Sequence, residues 1–187
     1  MKINNPLLLL LFFLFMTACS SVPEQHTQYY LLYNHSTALM PFPDKSLVSQ
    51  PIKIEVTMPA YLNQPNVVIK LSAHNLHFAR HHQWAEPLKE GFYKSLISDI
   101  NQIARYKTLI NAVNTSMPTL KVTIEHFHIT ENAMVILSGY YGYSDSLTSS
   151  IERFDLRLPL ALDGYEHAVA QLRRLITQLA LKIAPRA

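Results

Sequence analysis

The chain has 187 residues, enough for one domain of ordinary size. Its composition, 49% hydrophobic and 16% charged, excludes both a disordered tail protein and a polytopic membrane protein. The net charge is +3 and no basic run exceeds the pair Arg173-Arg174, so a nucleic-acid footprint is absent.

Met1 to Pro6 carries a single basic side chain, Lys2, and an unbroken apolar run follows from Leu7 to Met16. As a helix these ten residues would span roughly 15 Å, about half a bilayer core. A run that short, closed by small residues, reads as the core of a signal peptide. Met16-Thr17-Ala18-Cys19 resembles the bacterial lipobox, which implies diacylglycerol on the Cys19 thiol, cleavage before it and acylation of the new amine. Cys19 is the only cysteine of the chain; the competing reading is an ordinary signal peptide with an incidental cysteine. Each buried methylene contributes about 0.8 kcal/mol, so three acyl chains would hold the protein on its membrane effectively permanently. Ser20 and Ser21 follow the cysteine, with no aspartate of the kind that retains enterobacterial lipoproteins in the inner membrane. The expected address is therefore the outer membrane, periplasmic face. The organisation read from these features is a signal peptide over 1–18, a lipid-anchored tether over 19–28 and one domain over 29–185.

Along the domain, Tyr29 to Tyr33 predicts a short strand, and the three prolines between Asn34 and Pro51 predict a long loop. Ile52 to Val56 alternates apolar and polar, the pattern of a half-buried strand, and Val67-Val68-Ile69 predicts another. Between Trp84 and Tyr106 the period changes to that of a helix. Leu88, Phe92, Leu96, Ile100 and Ile103 form its stripe, Pro87 opens it, and Lys89, Glu90, Lys94, Asp99 and Gln102 belong in water. Thr108 to Val113 is a short strand candidate. Three alternating runs follow: Leu120 to Glu125, Ala133 through Tyr143, and Arg153 to Leu160. Short polar loops join them, which predicts an antiparallel meander. A second helix closes the chain, with Asp163 as N-cap and Glu166 completing a capping box. Its inner face is Ala168, Leu172, Leu175, Ile176, Leu179 and Ile183, worth on the order of 10 kcal/mol of gross burial. The fold class expected is mixed α+β: one mixed, largely antiparallel sheet packed by two long amphipathic helices.

No nucleophile elbow, zinc-protease motif or phosphate-binding loop occurs, so no catalytic residue, cofactor or metal is expected and the chain is read as a non-enzyme. His74, His77, His81 and His82 are the densest polar cluster. Their flanking run suggests strand and loop, with solvated histidines, over a helical metal face. Glu86 could act as a base or stabilise a helix N-terminus. Tyr140-Tyr141-Gly142-Tyr143 gathers three of ten tyrosines, either at a partner surface or packed on the sheet.

Several pieces together resemble the PqiC/YmbA-type lipoproteins, auxiliary components of ABC-type transport systems. The resemblance is carried by Tyr29-Tyr30-Leu31-Leu32, by Ile54-x-Val56 leading to Pro59-Ala60-Tyr61-Leu62, and by Pro65-Asn66-Val67-Val68. Trp84-Ala85-Glu86-Pro87-Leu88 is its most specific part, and the closing helix from Tyr165 to Ala184 completes it. It implies a non-enzymatic outer-membrane lipoprotein that serves transport of lipids between membranes and supports envelope integrity. The implied partners are a periplasm-spanning MCE-domain protein with its inner-membrane subunit, and further copies of the chain in a ring. Partner or assembly contacts are expected at Tyr61, Trp84, Glu86, Tyr140, Tyr141 and Tyr143. The competing class is a structural or assembly lipoprotein, pilotin-like or an envelope-stress factor, that binds a different periplasmic partner.

Overall fold

The computed structural model describes residues 26–33, 50–103, 107–110, 118–144 and 149–184. The signal sequence, Cys19, the first part of the tether and most of the proline-rich loop lie outside the described residues, as does the end of the strand expected over Thr108–Val113. Among the described residues eight strands form one mixed sheet: β1 (Gln28–Tyr30), β2 (Gln50–Thr57), β3 (Asn66–Ser72), β4 (Asn75–Trp84), β5 (Lys107–Ile110), β6 (Thr119–Thr130), β7 (Met134–Ser144) and β8 (Ser149–Pro159). Among the described residues two helices accompany it, α1 (Leu88–Ile103) and α2 (Tyr165–Ile183), with a 3-10 turn at Ala60–Asn63.

The long strand β6 is the spine of the sheet. Along one edge it pairs antiparallel with β7, and β7 with β8, which is the expected meander. The other edge is shared: Thr119–Thr123 take β2 in parallel, while Ile129 and Thr130 take β3. From there β2 continues to β5, and β3 continues through β4 to β1. The two ladders of the meander make antiparallel pairing dominant by length, although four of the seven pairings are parallel.

A register shift between Ile124 and His126 changes which positions of β6 face the core. Before it, Leu120, Val122 and Ile124 are buried; after it, Phe127 and Ile129 are. Gly139 of β7 pairs with Ile124 at this point, and a Cβ there would lie 2.0 Å from the Thr123 carbonyl oxygen. Only glycine lets the two strands approach so closely.

The helices lie side by side and contact the sheet, α1 toward β2 and β5, α2 toward β7 and β8. Their spacing put the right side chains inside: Leu88, Phe92, Leu96 and Ile100 of α1, and all six positions expected of α2. Phe92 meets Phe127 of β6 edge to face, 5.6 Å between centroids, an arrangement aromatic rings favour.

Two local expectations are corrected. Asp163 does not cap α2; it is exposed, and Gly164 holds the N-cap position with φ 105° and ψ 150°. That backbone conformation is nearly exclusive to glycine, and the Gly164 carbonyl accepts the Ala168 N–H at 3.1 Å. Asp99 does not face water. It is buried at 6% exposure because Arg173 of α2 reaches across to it, with two guanidinium N–H groups donating to its two oxygens at 2.6 Å.

His128 on β6 is also buried, near its neighbour His126 and with Nδ1 3.0 Å from the Ile129 carbonyl oxygen. Burial, which disfavours the imidazolium, pulls its pKa down to about 4, and the charges of His126 and Lys70 act in the same direction. The unfolded chain therefore binds a proton from about pH 6.5 downward that the folded chain refuses until about pH 4. This contribution is complete above pH 6.5 and is lost as pH falls through about 4, on the order of 3 kcal/mol in all. Denaturant midpoints measured across that range should fall for the wild type, and its lead over His128→Gln should shrink with acid. A constant difference between the two would show that His128 does not titrate this way.

Candidate functional site

The β3–β4 turn, the β6–β7 turn and the end of β8 lie together at one end of the sheet. β1 lies in parallel beside the last residues of β4, with Gln28 opposite His82 and Tyr30 opposite Trp84. The C-terminus of α2 meets Tyr141 and Tyr143 of β7.

Beside β1, residues of β4 that were expected partly as solvated loop are strand. His77 and Arg80 are exposed, His81 and His82 half-buried, and with His26, Gln28, Ala79 and Tyr165 they line an open groove beside β1. His82 is its centre. Its ring stacks on Tyr165 of α2 with centroids 3.6 Å apart and 13° between planes, and more distantly on Tyr30. The Tyr30 hydroxyl donates to Gln28 Oε1 at 2.6 Å, which leaves its oxygen to accept from His82 Nδ1 at 2.8 Å. Burial, and then the nearby His81, hold the His82 pKa below its ordinary value. Burial, with Glu166 and Tyr165 adding to it, raises that of Tyr30. The triple stack ties edge strand β1 to the start of α2. Sequence reasoning missed it, because the three rings lie far apart in the chain and only the pairing of β1 with β4 unites them. Among the described residues no group of three or more His, Cys, Asp or Glu side chains is arranged to hold a metal ion.

Next to the end of β1 the chain turns from β4 into α1 through the Trp84-Ala85-Glu86-Pro87 segment. The Trp84 and Ala85 N–H groups donate to the carbonyl oxygens of Pro65 and Tyr30, at 2.7 and 2.8 Å. Trp84 itself is buried in the core, 6% exposed. Glu86 is half-buried, pairs with Lys94 of α1 and lies against Gly91, where a Cβ would meet its Oε1 at 3.2 Å. It thus braces the first turns of α1, and its hydrogen bond raises the Lys94 pKa.

The tyrosines of β7 are divided by strand alternation and by α2. Tyr141 is buried at 5% exposure and donates to Glu152 of β8 at 2.8 Å; its hydroxyl also lies 3.5 Å from the Lys182 carbonyl. The Tyr143 hydroxyl donates to the Ile183 carbonyl at 3.4 Å. Tyr143 thereby serves a carbonyl group that the end of a helix leaves without an intrahelical partner. Tyr140 is half-buried with the Arg153 guanidinium 5.5 Å from its ring centroid, a cation–π arrangement. Tyr61, from the 3-10 turn, donates to the Glu125 carbonyl at 3.0 Å, and burial pushes its pKa up to about 12. The structure therefore places Tyr141 and Tyr143 at the end of α2, Tyr140 on the other face of β7 with Arg153, and Trp84 with Glu86 at the entry to α1. Tyr61 stands apart on the β6 bulge, so the six positions do not form one constellation.

Among the described residues the chain is a mixed sheet with two helices packed against it. Residues 43–184 match the family model of the ABC-type transport auxiliary lipoprotein component, and the chain belongs to that family. It is 27% identical over 131 residues, 70% of each chain, to the intermembrane transport lipoprotein PqiC of Escherichia coli (strain K12), and equally to that of Shigella flexneri. The fold is also similar to the crystal structure of an uncharacterized protein, with TM-score 0.74 and 23% identity, over 86% of this chain and 98% of the other. Protein XCC0632 from Xanthomonas campestris is similar with TM-score 0.64 and 12% identity, over 84% of this chain and 93% of its own. The family is one of transport auxiliary lipoproteins and not of enzymes. Among the described residues no helix is long and apolar enough to cross a membrane.

Proposed function

We propose that this protein is the outer-membrane-anchored docking component of an intermembrane lipid transport system. It would be held by acyl chains on Cys19 at the periplasmic face and act without catalysis. The observation that carries the reading is the family match over residues 43–184 downstream of a lipobox-like Met16-Thr17-Ala18-Cys19. The similarity to the intermembrane transport lipoprotein PqiC supports a role in transport between membranes. The partner is an MCE-domain protein spanning the periplasm, with its inner-membrane subunit, and a ring of copies of this chain receives its tip. Anchoring raises the effective concentration of the receptor at its membrane, so a modest interface suffices. Partner or assembly contacts are assigned to Tyr61, Glu86, Tyr140 and Tyr143, which keep part of their surface exposed, with the buried Trp84 and Tyr141 supporting them from the core.

The test is a tagged pull-down from mildly solubilised envelopes, with bound proteins and the N-terminal peptide identified by mass spectrometry. An MCE-domain protein should be recovered, and should be lost when the tag sits on an unrelated lipoprotein. The mature chain should begin at acylated Cys19, and Cys19→Ser should remain unprocessed or release the domain from the membrane. Recovery of a secretion or stress-response component instead would assign the chain to the assembly class, and acyl labelling of Cys19→Ser would end the lipid-anchor reading.

A further inference from the structure

We propose that the open edge of β8 is the surface on which two copies of this chain pair, strand to strand and antiparallel, about a two-fold axis beside Leu156. The inference takes from the docking reading only that copies of the chain meet. It goes beyond that reading by naming an edge, a register and a symmetry. A two-fold contact closes with two copies, so it adds to the contacts of a ring and does not build one by itself.

The backbone supplies the first observation. Among the described residues β8 pairs with β7 alone, in unbroken register from Ser149 opposite Ser144 to Pro159 opposite Met134. One position further on, the Leu160 N–H donates to the Ala133 carbonyl at 2.8 Å. The bonding side alternates along a strand, so the even-numbered residues of β8 turn their N–H and C=O groups to β7. Those of Ile151, Arg153, Asp155 and Arg157 then point to the open side. Pro159 shares that side, where its missing N–H costs the β7 ladder nothing. A long, regular edge without a bulge is a template for a further strand.

The side chains decide which strand. On the face turned away from the helices β8 presents Ile151, Arg153, Asp155 and Arg157, all exposed. On the helix face Phe154 and Leu156 are buried and Leu158 half-buried. Three antiparallel registers of β8 on a second β8 differ in what they oppose. Centred on Asp155, the pairing sets Asp155 against itself and Arg153 against Arg157 twice, and like charges directly opposite destabilise a sheet. Centred on Phe154, it joins Arg153 to Asp155 but sets Glu152 against the buried Leu156.

Centred on Leu156, the pairing suits both faces. Asp155 lies opposite Arg157 of the other copy twice on the outer face. On the helix face Leu156 meets itself and Phe154 meets Leu158, while Glu152 falls opposite Leu160, past the end of the strand. This register forgoes one backbone bond at each Pro159, opposite Arg153. Within one strand Arg157 already donates to both oxygens of Asp155 at 2.8 Å. Around the axis two such pairs close into four alternating charges, which selects this strand over an arbitrary one.

The experiment uses the acylated mature protein in dodecylmaltoside micelles, with Asp155→Cys and Arg157→Cys chains oxidised separately and mixed. Both positions are exposed, so neither change disturbs the core. A disulfide between 155 of one copy and 157 of the other is expected to form severalfold faster than a disulfide of either variant with itself. The unaltered chain reveals any bond made through Cys19. In sedimentation the wild type should pair, Asp155→Arg should pair severalfold more weakly, and Asp155→Arg with Arg157→Asp should regain the loss. A wild type that stays single at every concentration, a 155–155 bond that forms fastest, or pairing that Asp155→Arg leaves intact would each overturn the proposal. Protection of position 155 that appears only when a periplasmic partner is added would give the edge to that partner and overturn it too. Recovery of the transport partner in the pull-down is read separately, so the docking reading stands or falls on its own result.

Discussion

Trp84→Ala is expected to lower the stability of the domain by about 3–5 kcal/mol, the range for deleting a large buried aromatic side chain. Trp84 is 6% exposed within the core cluster, at the point where β4 ends and the chain turns toward α1. Its indole Nε1 is buried without a hydrogen-bond partner among the described residues, so its contribution is packing and not a polar contact. Trp84→Phe should therefore cost much less than the alanine variant, since no hydrogen bond is lost and most of the ring volume remains. Equilibrium denaturation of the two variants checks both statements. A phenylalanine variant as unstable as the alanine one would mean that the indole N–H is in fact engaged. Pull-down of the partner by the stable Trp84→Phe variant then separates support of the fold from contact with the partner.

The second large effect is expected at the joint between the helices. Asp99→Ala should destabilise the protein by about 3 kcal/mol. The carboxylate accepts both guanidinium N–H groups of Arg173 at 2.6 Å and the Thr177 hydroxyl at 2.8 Å, while Arg173 also donates to Thr177 at 2.9 Å. Removing Asp99 leaves the guanidinium with one protein partner in a place that has given up much of its water. The estimate stays at the lower end of the range because the Arg173 side chain keeps 27% of its surface exposed. The double variant Asp99→Ala with Arg173→Met should recover much of the loss, because an apolar pair of similar volume carries no desolvated charge. Thermal or denaturant melts of the single and double variants decide it: a double variant no better than Asp99→Ala alone would mean that lost packing, and not the stranded cation, sets the cost.

Asp99 also shows where a reading of the helix pattern stops. Its position on α1 follows the polar face, and single-helix periodicity contains no information about what a second helix brings to that face. Arg173 lies 74 positions later, and only the side-by-side packing of α1 and α2 makes the pair. The capping of α2 is a similar case. Asp163 followed three residues later by Glu166 has the composition of a capping box, yet the chain leaves β8 at an angle that puts Gly164 at the cap. The backbone there needs a positive φ, and glycine supplies it at the cost of side-chain capping. On β6, the alternation from Leu120 to Ile124 was legible, but the register shift that transfers the core face to Phe127 and Ile129 was not. A bulge is set by the partner strands on both edges, and here they differ along its length.

What the amino-acid order determined by itself is the local periodicity: the apolar stripes of both helices, the alternating strands of the meander, and the sequence marks of export and anchoring before the domain. Each depends on neighbours within a turn or a strand, which one chain of letters records. The Trp84 to Leu88 segment and the closing helix also sufficed to mark the family. Tertiary structure alone decided how β6 divides its edge between β2 and β3, and which histidine stacks between Tyr30 and Tyr165. These are relations between segments tens of residues apart, chosen by which surfaces can be buried together. The free energy that selects them belongs to the packed whole and is absent from any single stretch of the chain.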